Sequence, residues 1–285
     1  MFTGGLIFTV LSILVLLTGA WLVSRDGWRT AAVIFMAPVL HAIGVGNQIL
    51  LAMGGVLVFL AWKDEHGWKK HVAFLSLAFA TALKIVPCVF GLALLKERRW
   101  RDFALLSAFC AILLFVPFAW TGGLDGFAAF LENLRLHDDH YGIRSRYGLV
   151  PFDRSFRILT GRGVESVRQT FAVSRGLSVA LGAACLWRWW RAPDRTTEWT
   201  MLAAAALFLS SVTQFYSLIY LLPSVLIGAR TGGWRPLFLF AALCPLQIPA
   251  LHGGANMLLS NFALLCLTLD CLVRPRGCRG RISDF

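Results

Sequence analysis

The stretch HVAFLSLAFATALKIVPCVFGLALL, residues 71–95, decides the fold. Lys84 lies in its middle, Pro87 follows three residues later, and no acidic residue falls within it. A cation in hydrocarbon costs on the order of 3 kcal/mol on insertion scales, so it usually faces a cavity and holds something anionic. The alternative is a lysine that snorkels or pairs with a carboxylate; mid-segment placement and the absence of a local acid weigh against it. Two further polar breaks flank this one. Upstream stand His41 and then Gly44-Val45-Gly46-Asn47-Gln48; downstream stands Ser210-Ser211-Val212-Thr213-Gln214-Phe215-Tyr216. The 71–95 stretch itself leaves through a basic exit, Lys96-Glu97-Arg98-Arg99-Trp100-Arg101.

The composition agrees with a chain that lives in lipid. Of 285 residues, 58% are hydrophobic and only 15% charged, whereas soluble domains carry about 25% charged residues. The reading is an all-α polytopic membrane protein. Net charge is +12, but the excess falls in short loops between apolar segments and calls for no nucleic acid. Six of the seven cysteines lie in apolar segments and no Cys-x-x-Cys occurs, so they read as small buried hydrophobes rather than a disulfide framework or zinc site. No Asn-x-Ser/Thr sequon is present.

About 11 apolar segments follow from the hydropathy pattern, near 5–24, 31–44, 46–62, 71–83, 85–95, 102–120, 172–190, 198–211, 214–229, 236–250 and 256–273. Together they read as one transmembrane domain over 1–285. Eighteen of the 27 basic residues gather at Arg25/Arg29, Lys63/Lys69/Lys70, Lys96–Arg101, Arg188/Arg191/Arg195, Arg230/Arg235 and Arg274–Arg281. The positive-inside rule puts these clusters in the cytoplasm, and ten of the 11 tryptophans border them as an interfacial belt. Segments 31–62, 71–95 and 198–229 then begin and end on one side, so each reads as a hairpin of two short helices. Broken backbone at membrane depth is tolerated where it lines a wet cavity. At about 1.5 Å per residue, Gln48, Lys84 and Gln214 reach roughly 20–25 Å from the cytoplasmic side. The expectation is a polar cleft opening outward, beneath a long exterior loop at 121–171.

That loop opens on Gly122-Gly123 and an amphipathic stretch, Phe127, Phe130, Leu131 and Leu134, whose spacing is helical and suits the membrane interface. His137-Asp138-Asp139-His140 follows. It could ligate a divalent cation or supply a general base, but contiguous residues cannot all face one ion on a regular element, and a hydrophilic loop explains them as well. No metal and no cofactor is expected. Arg144, Arg146, Arg154 and Arg157 could complete a phosphate clamp with Lys84, since guanidinium matches phosphate oxygens bidentately. His41, Asn47, Gln48, Gln214 and Tyr216 could bind sugar or acceptor hydroxyls. Equally, His41 could be a satisfied core group and the amides could cap broken helices.

The order of an amide-bearing glycine break, a short helix, Lys84-x-x-Pro87 and Arg98-Arg99-Trp100 resembles family 87 of the glycosyltransferases. These are integral membrane enzymes of the GT-C superfamily that draw sugars from polyprenyl-phosphate donors. The resemblance is strongest from about Pro38 to Arg101. It implies a GT-C-like bundle of short and broken helices, with a hexose, plausibly mannose, moved to a lipid or glycan hydroxyl at the outer face of the plasma (inner) membrane. Lys84 and the loop arginines would then stabilise the leaving phosphate. The chain departs from the family pattern in two places. Members often show Gly-Gln-x-Asn where Gly46-Asn47-Gln48 stands here, so the amide roles do not transfer atom by atom. The family also places a membrane helix and an aspartate-bearing loop ahead of the point where this sequence starts. With an uncharged Met1–Gly5 before the first span, the expectation is an N-terminally incomplete chain, in which Asp138 or Asp139 is the available substitute base. The rival readings are a transporter or flippase, since broken helices in both halves also mark transporters, and an inactive fragment of a glycosyltransferase.

Overall fold

The computed structural model describes residues 2–141, 164–192, 194–210, 215–228 and 253–273, which are helical throughout with no strand among them. The helices are α1 Phe2–Ser24, α2 Gly27–Ile34, α3 Ala37–Gly44, α4 Ile49–Trp62, α5 Trp68–Leu83, α6 Leu92–Lys96, α7 Trp100–Trp120, α8 Gly123–Tyr141, α9 Val164–Trp190, α10 Arg195–Leu209, α11 Leu222–Gly228 and α12 Gly253–Val273. Two 3-10 helices, Val86–Gly91 and Phe215–Leu221, lead into α6 and α11. The apolar segment at 236–250, Arg230 and Arg235, and the Arg274–Arg281 tail lie outside the described residues.

This is an all-α membrane protein. Gly4–Ser24 and Trp100–Trp120, 21 residues each, are long and apolar enough to cross a bilayer, and four shorter apolar helices accompany them. Their exposed side chains are those a bilayer accepts: Leu6, Ile7, Val10, Leu11 and Leu14 on α1, and Ile112, Phe115 and Val116 on α7.

α4 is the rod on which the N-terminal half is built. Gly54 and Gly55 turn to opposite neighbours. A Cβ at Gly54 would sit 2.7 Å from Val15 Cγ1 and 2.9 Å from the Leu16 nitrogen of α1, and one at Gly55 would sit 2.6 Å from the Ser76 carbonyl oxygen of α5. Small residues let helix backbones approach this closely where lipid supplies no hydrophobic drive between helices. Phe59, Phe74 and Leu77 complete the α4–α5 seam.

The boundaries move where proline and tertiary packing intervene. The segment read as one piece at 31–44 is split: α2, capped by the Asp26 carboxylate on the Trp28 and Arg29 amides, ends before an extended Met36. Pro38 then sits in the first turn of α3, where backbone N–H groups have no intrahelical partner to lose. The half-span read at 85–95 is a six-residue 3-10 helix around Pro87 followed by one short α-turn. The start of the segment read as a loop at 121–171 is the helix α8, reached through a turn at Gly122 (φ +103°) and Gly123 (φ +60°). Phe127 and Phe130 fold it back on α7, with ring centroids 5.2 Å and 5.4 Å from Phe118.

Two hairpins repeat one plan. α5 stops at an extended Lys84 before a 3-10 helix and α6; α10 stops at an extended Ser210 before a 3-10 helix and α11. Phe90 of the first 3-10 helix lies 6.3 Å from Tyr220 of the second, so the two hairpins meet at their irregular turns.

Candidate active site

Three polar breaks converge. His41 occupies the last turn of α3, which ends where Gly46 takes a left-handed φ of +63°, a conformation glycine adopts without steric cost. The chain reverses there, and the Asn47 side-chain oxygen accepts from the Ile49 amide at 3.0 Å to open α4. Gln48 points the other way: its Nε2 donates to the Leu83 carbonyl oxygen at 3.0 Å. That oxygen belongs to the last residue of α5, where a helix leaves its carbonyls without intrahelical partners. Both amides therefore serve the broken helix ends, and they do so across two hairpins.

Lys84 follows immediately, half-buried, with extended backbone (φ −150°, ψ 131°). Its ammonium lies 5.1 Å from the centroid of the Tyr216 ring, inside the range of a cation–π contact. Tyr216 is only 8% exposed. Its ring stacks on His41 with centroids 6.0 Å apart and planes at 20°, and Asn47 stands beside its phenol. The structure thus brings together five residues read from the sequence: His41, Asn47, Gln48, Lys84 and Tyr216. Gln214, Arg144, Arg146, Arg154 and Arg157 lie outside the described residues, and Asp138 and Asp139 are placed only as backbone positions near the end of α8.

The charge balance of this site differs from the rest of the molecule. The chain has five lysines. Lys63 pairs with Asp64 and Glu97, Lys69 with Glu65, Lys70 with Asp102, and Lys96 with Glu198. Among the described residues no carboxylate pairs with Lys84. Lys96 adds a bond to the Trp189 carbonyl oxygen at 3.0 Å, and Arg188 donates to the Cys271 carbonyl oxygen at 2.7 Å. The paired lysines mark one end of the bundle. α4 runs 14 residues from Gln48 to Lys63, a distance of about 21 Å, so Lys84 and the ion pairs stand at opposite ends.

A shallow dent with no room for a water molecule adjoins the site, between α1 and the α3–α4 break, with Thr9, Ser12 and Asn47 on its walls. Thr9 and Ser12 carry no signal of this in the sequence; they read as ordinary small residues of the first span. The sequence matches the description of glycosyltransferase family 87 over residues 1–213. The chain belongs to glycosyltransferase family 87. It is accordingly an enzyme, a glycosyltransferase that works on a sugar donor and an acceptor. The match takes in His41, Asn47, Gln48 and Lys84 and stops just before Gln214 and Tyr216. No curated protein and no solved structure matches the chain.

Proposed function

We propose that this family 87 enzyme transfers a hexose such as mannose from a polyprenyl-phosphate donor to a lipid or glycan hydroxyl at the outer face of the plasma (inner) membrane. Lys84 binds the donor phosphate. The observation that supports this is the charge balance of the lysines: four have carboxylate partners and Lys84 has none among the described residues. A half-buried cation within apolar sequence needs an anion, and the anion of this donor class is its phosphate.

The chemistry then runs as a displacement. The acceptor oxygen attacks the anomeric carbon, the bond from that carbon to the phosphate oxygen breaks, and the phosphate leaves with its electron pair. Lys84 stabilises the growing negative charge where water is scarce, and Arg144, Arg146, Arg154 and Arg157 complete the clamp. The acceptor proton passes to a general base, for which Asp138 and Asp139 are the in-chain candidates. His41, Asn47, Gln48, Gln214 and Tyr216 surround the sugar side. The basic clusters at the opposite end of α4 support an outward-facing site through the positive-inside rule.

The test is transfer of labelled hexose from polyprenyl phosphate by the purified chain. Lys84→Gln is expected to lower kcat/KM by about 10- to 150-fold, the loss of one charge-assisted contact of roughly 1.5–3 kcal/mol, with Lys84→Arg retaining more. Unchanged kinetics in Lys84→Gln would make the lysine structural.

A further inference from the structure

We propose that Tyr216 is a positioning residue for Lys84, a buried aromatic platform that fixes the ammonium while leaving its charge free for the phosphate. The inference rests on the reading of Lys84 as the phosphate contact and concerns what holds that contact in place.

A lysine head on a four-carbon stem is mobile and loses rotamer freedom when it is fixed against a ligand. Elsewhere in this molecule carboxylates hold the lysines. A carboxylate at Lys84 would fix the side chain but repel the donor phosphate and cancel the charge meant for it. An aromatic face does neither, because its quadrupole attracts a cation without net negative charge. Tyr216 presents such a face, 5.1 Å from Lys84 Nζ.

The platform is itself held. Its ring stacks on His41 in the last turn of α3, and the break that follows is closed by the Asn47 side-chain oxygen accepting from the Ile49 amide. The next residue, Gln48, holds the Leu83 carbonyl beside Lys84. Two contacts meet at Lys84: its ammonium lies on the Tyr216 ring, and the carbonyl just before it is held by Gln48. The α3–α4 break thus steadies the backbone beside the lysine through Gln48, and His41 of α3 backs the ring under its head. In this arrangement Tyr216 acts on the donor through Lys84.

Donor kinetics of the full chain test this through a series at position 216. Tyr216→Leu is expected to reduce donor kcat/KM by about 2- to 30-fold, the range spanned by exposed to desolvated cation–π contacts. Tyr216→Phe, which keeps the ring and loses only the hydroxyl, should retain clearly more. In Lys84→Gln, adding Tyr216→Leu should cost little further, because the pair acts as a unit. Phenylalanines bearing one, two and three fluorines at 216 keep size and shape while draining the ring face, so kcat/KM should fall stepwise along that series even if the leucine variant does not fold. A flat fluorine series, or Tyr216→Phe as damaging as Tyr216→Leu, overturns the platform while leaving the phosphate role of Lys84 standing. No loss in Lys84→Gln overturns both.

Discussion

The two ends of α4 handle positive charge in opposite ways. At the Lys63 end the charges are netted together: Lys63 contacts Asp64 and Glu97, Arg99 reaches Asp64 at 2.6 Å, Glu97 at 3.1 Å and Asp102 at 2.8 Å, and Lys70 reaches Asp102 at 2.6 Å. At the Gln48 end the Lys84 ammonium lies over the Tyr216 ring, which stacks on His41, and among the described residues no carboxylate pairs with it. An end whose charges are matched within the chain is structural; it joins α4, α5, α6 and α7 and asks for nothing further. The other end holds a cation with no carboxylate partner among the described residues, and the proposed phosphate role of Lys84 rests on that difference. Internal pairing, not basic character, is what separates Lys84 from the other four lysines.

Separating the two ends by force is expected to have the largest effect. Gly55→Leu drives a side chain into the Ser76 carbonyl, backbone that cannot yield. Overpacking of this kind costs about 1–3 kcal/mol and sometimes more, so yield and melting temperature should both drop sharply, and activity with them. A variant as stable as the parent would show that α4 does not rigidly hold the ends apart. Lys70→Gln touches only the netted end. It should cost up to about 1 kcal/mol of stability, the range for partly exposed pairs, and leave donor KM unchanged. A raised KM would erase the distinction between the ends.

The smallest effect concerns pH. Burial alone would raise the Asp64 carboxyl, but hydrogen bonds and charge from Lys63 and Arg99 outweigh it and hold the group below the usual aspartate range. A depressed folded-state value means that stabilisation is present above the ordinary value of about 3.9 and disappears as pH falls through the folded one. Melting temperature should decline below about pH 4, and Asp64→Asn should flatten part of that decline. An identical decline in the asparagine variant would place the sensitivity in other carboxylates.

What the sequence made legible was the set of interruptions. Lys84 and Pro87 within apolar residues, and the glycines and amides at 44–48, announce broken helices because each breaks a local rule that the surrounding residues obey. Positive-inside charge bias then put the tips Gln48, Lys84 and Gln214 at one end; the structure brings Gln48 and Lys84 together there, while Gln214 lies outside the described residues. Other features depend on tertiary contact and leave no local trace. Nothing near Tyr216 in the chain says that its ring lies under Lys84, 132 positions away by their numbers. Gly54 and Gly55 look alike in sequence, yet one meets α1 and the other α5. Residues 86–91 and 215–221 are apolar enough for α-helix, and their 3-10 winding is not something hydropathy reports. The amides at Asn47 and Gln48 could be read equally as sugar contacts or caps; their capping bonds became visible only once the partners, Ile49 and Leu83, were placed.

The measurement that bears most directly on the central claim is the affinity of the purified full chain for polyprenyl monophosphate without sugar, compared between Lys84→Gln and Lys70→Gln. The unpaired lysine is expected to matter and the paired one not: about 10- to 150-fold weaker binding in Lys84→Gln, from roughly 1.5–3 kcal/mol of charge-assisted contact, and parental binding in Lys70→Gln. Equal weakening in both variants, or parental affinity in Lys84→Gln, would contradict the account.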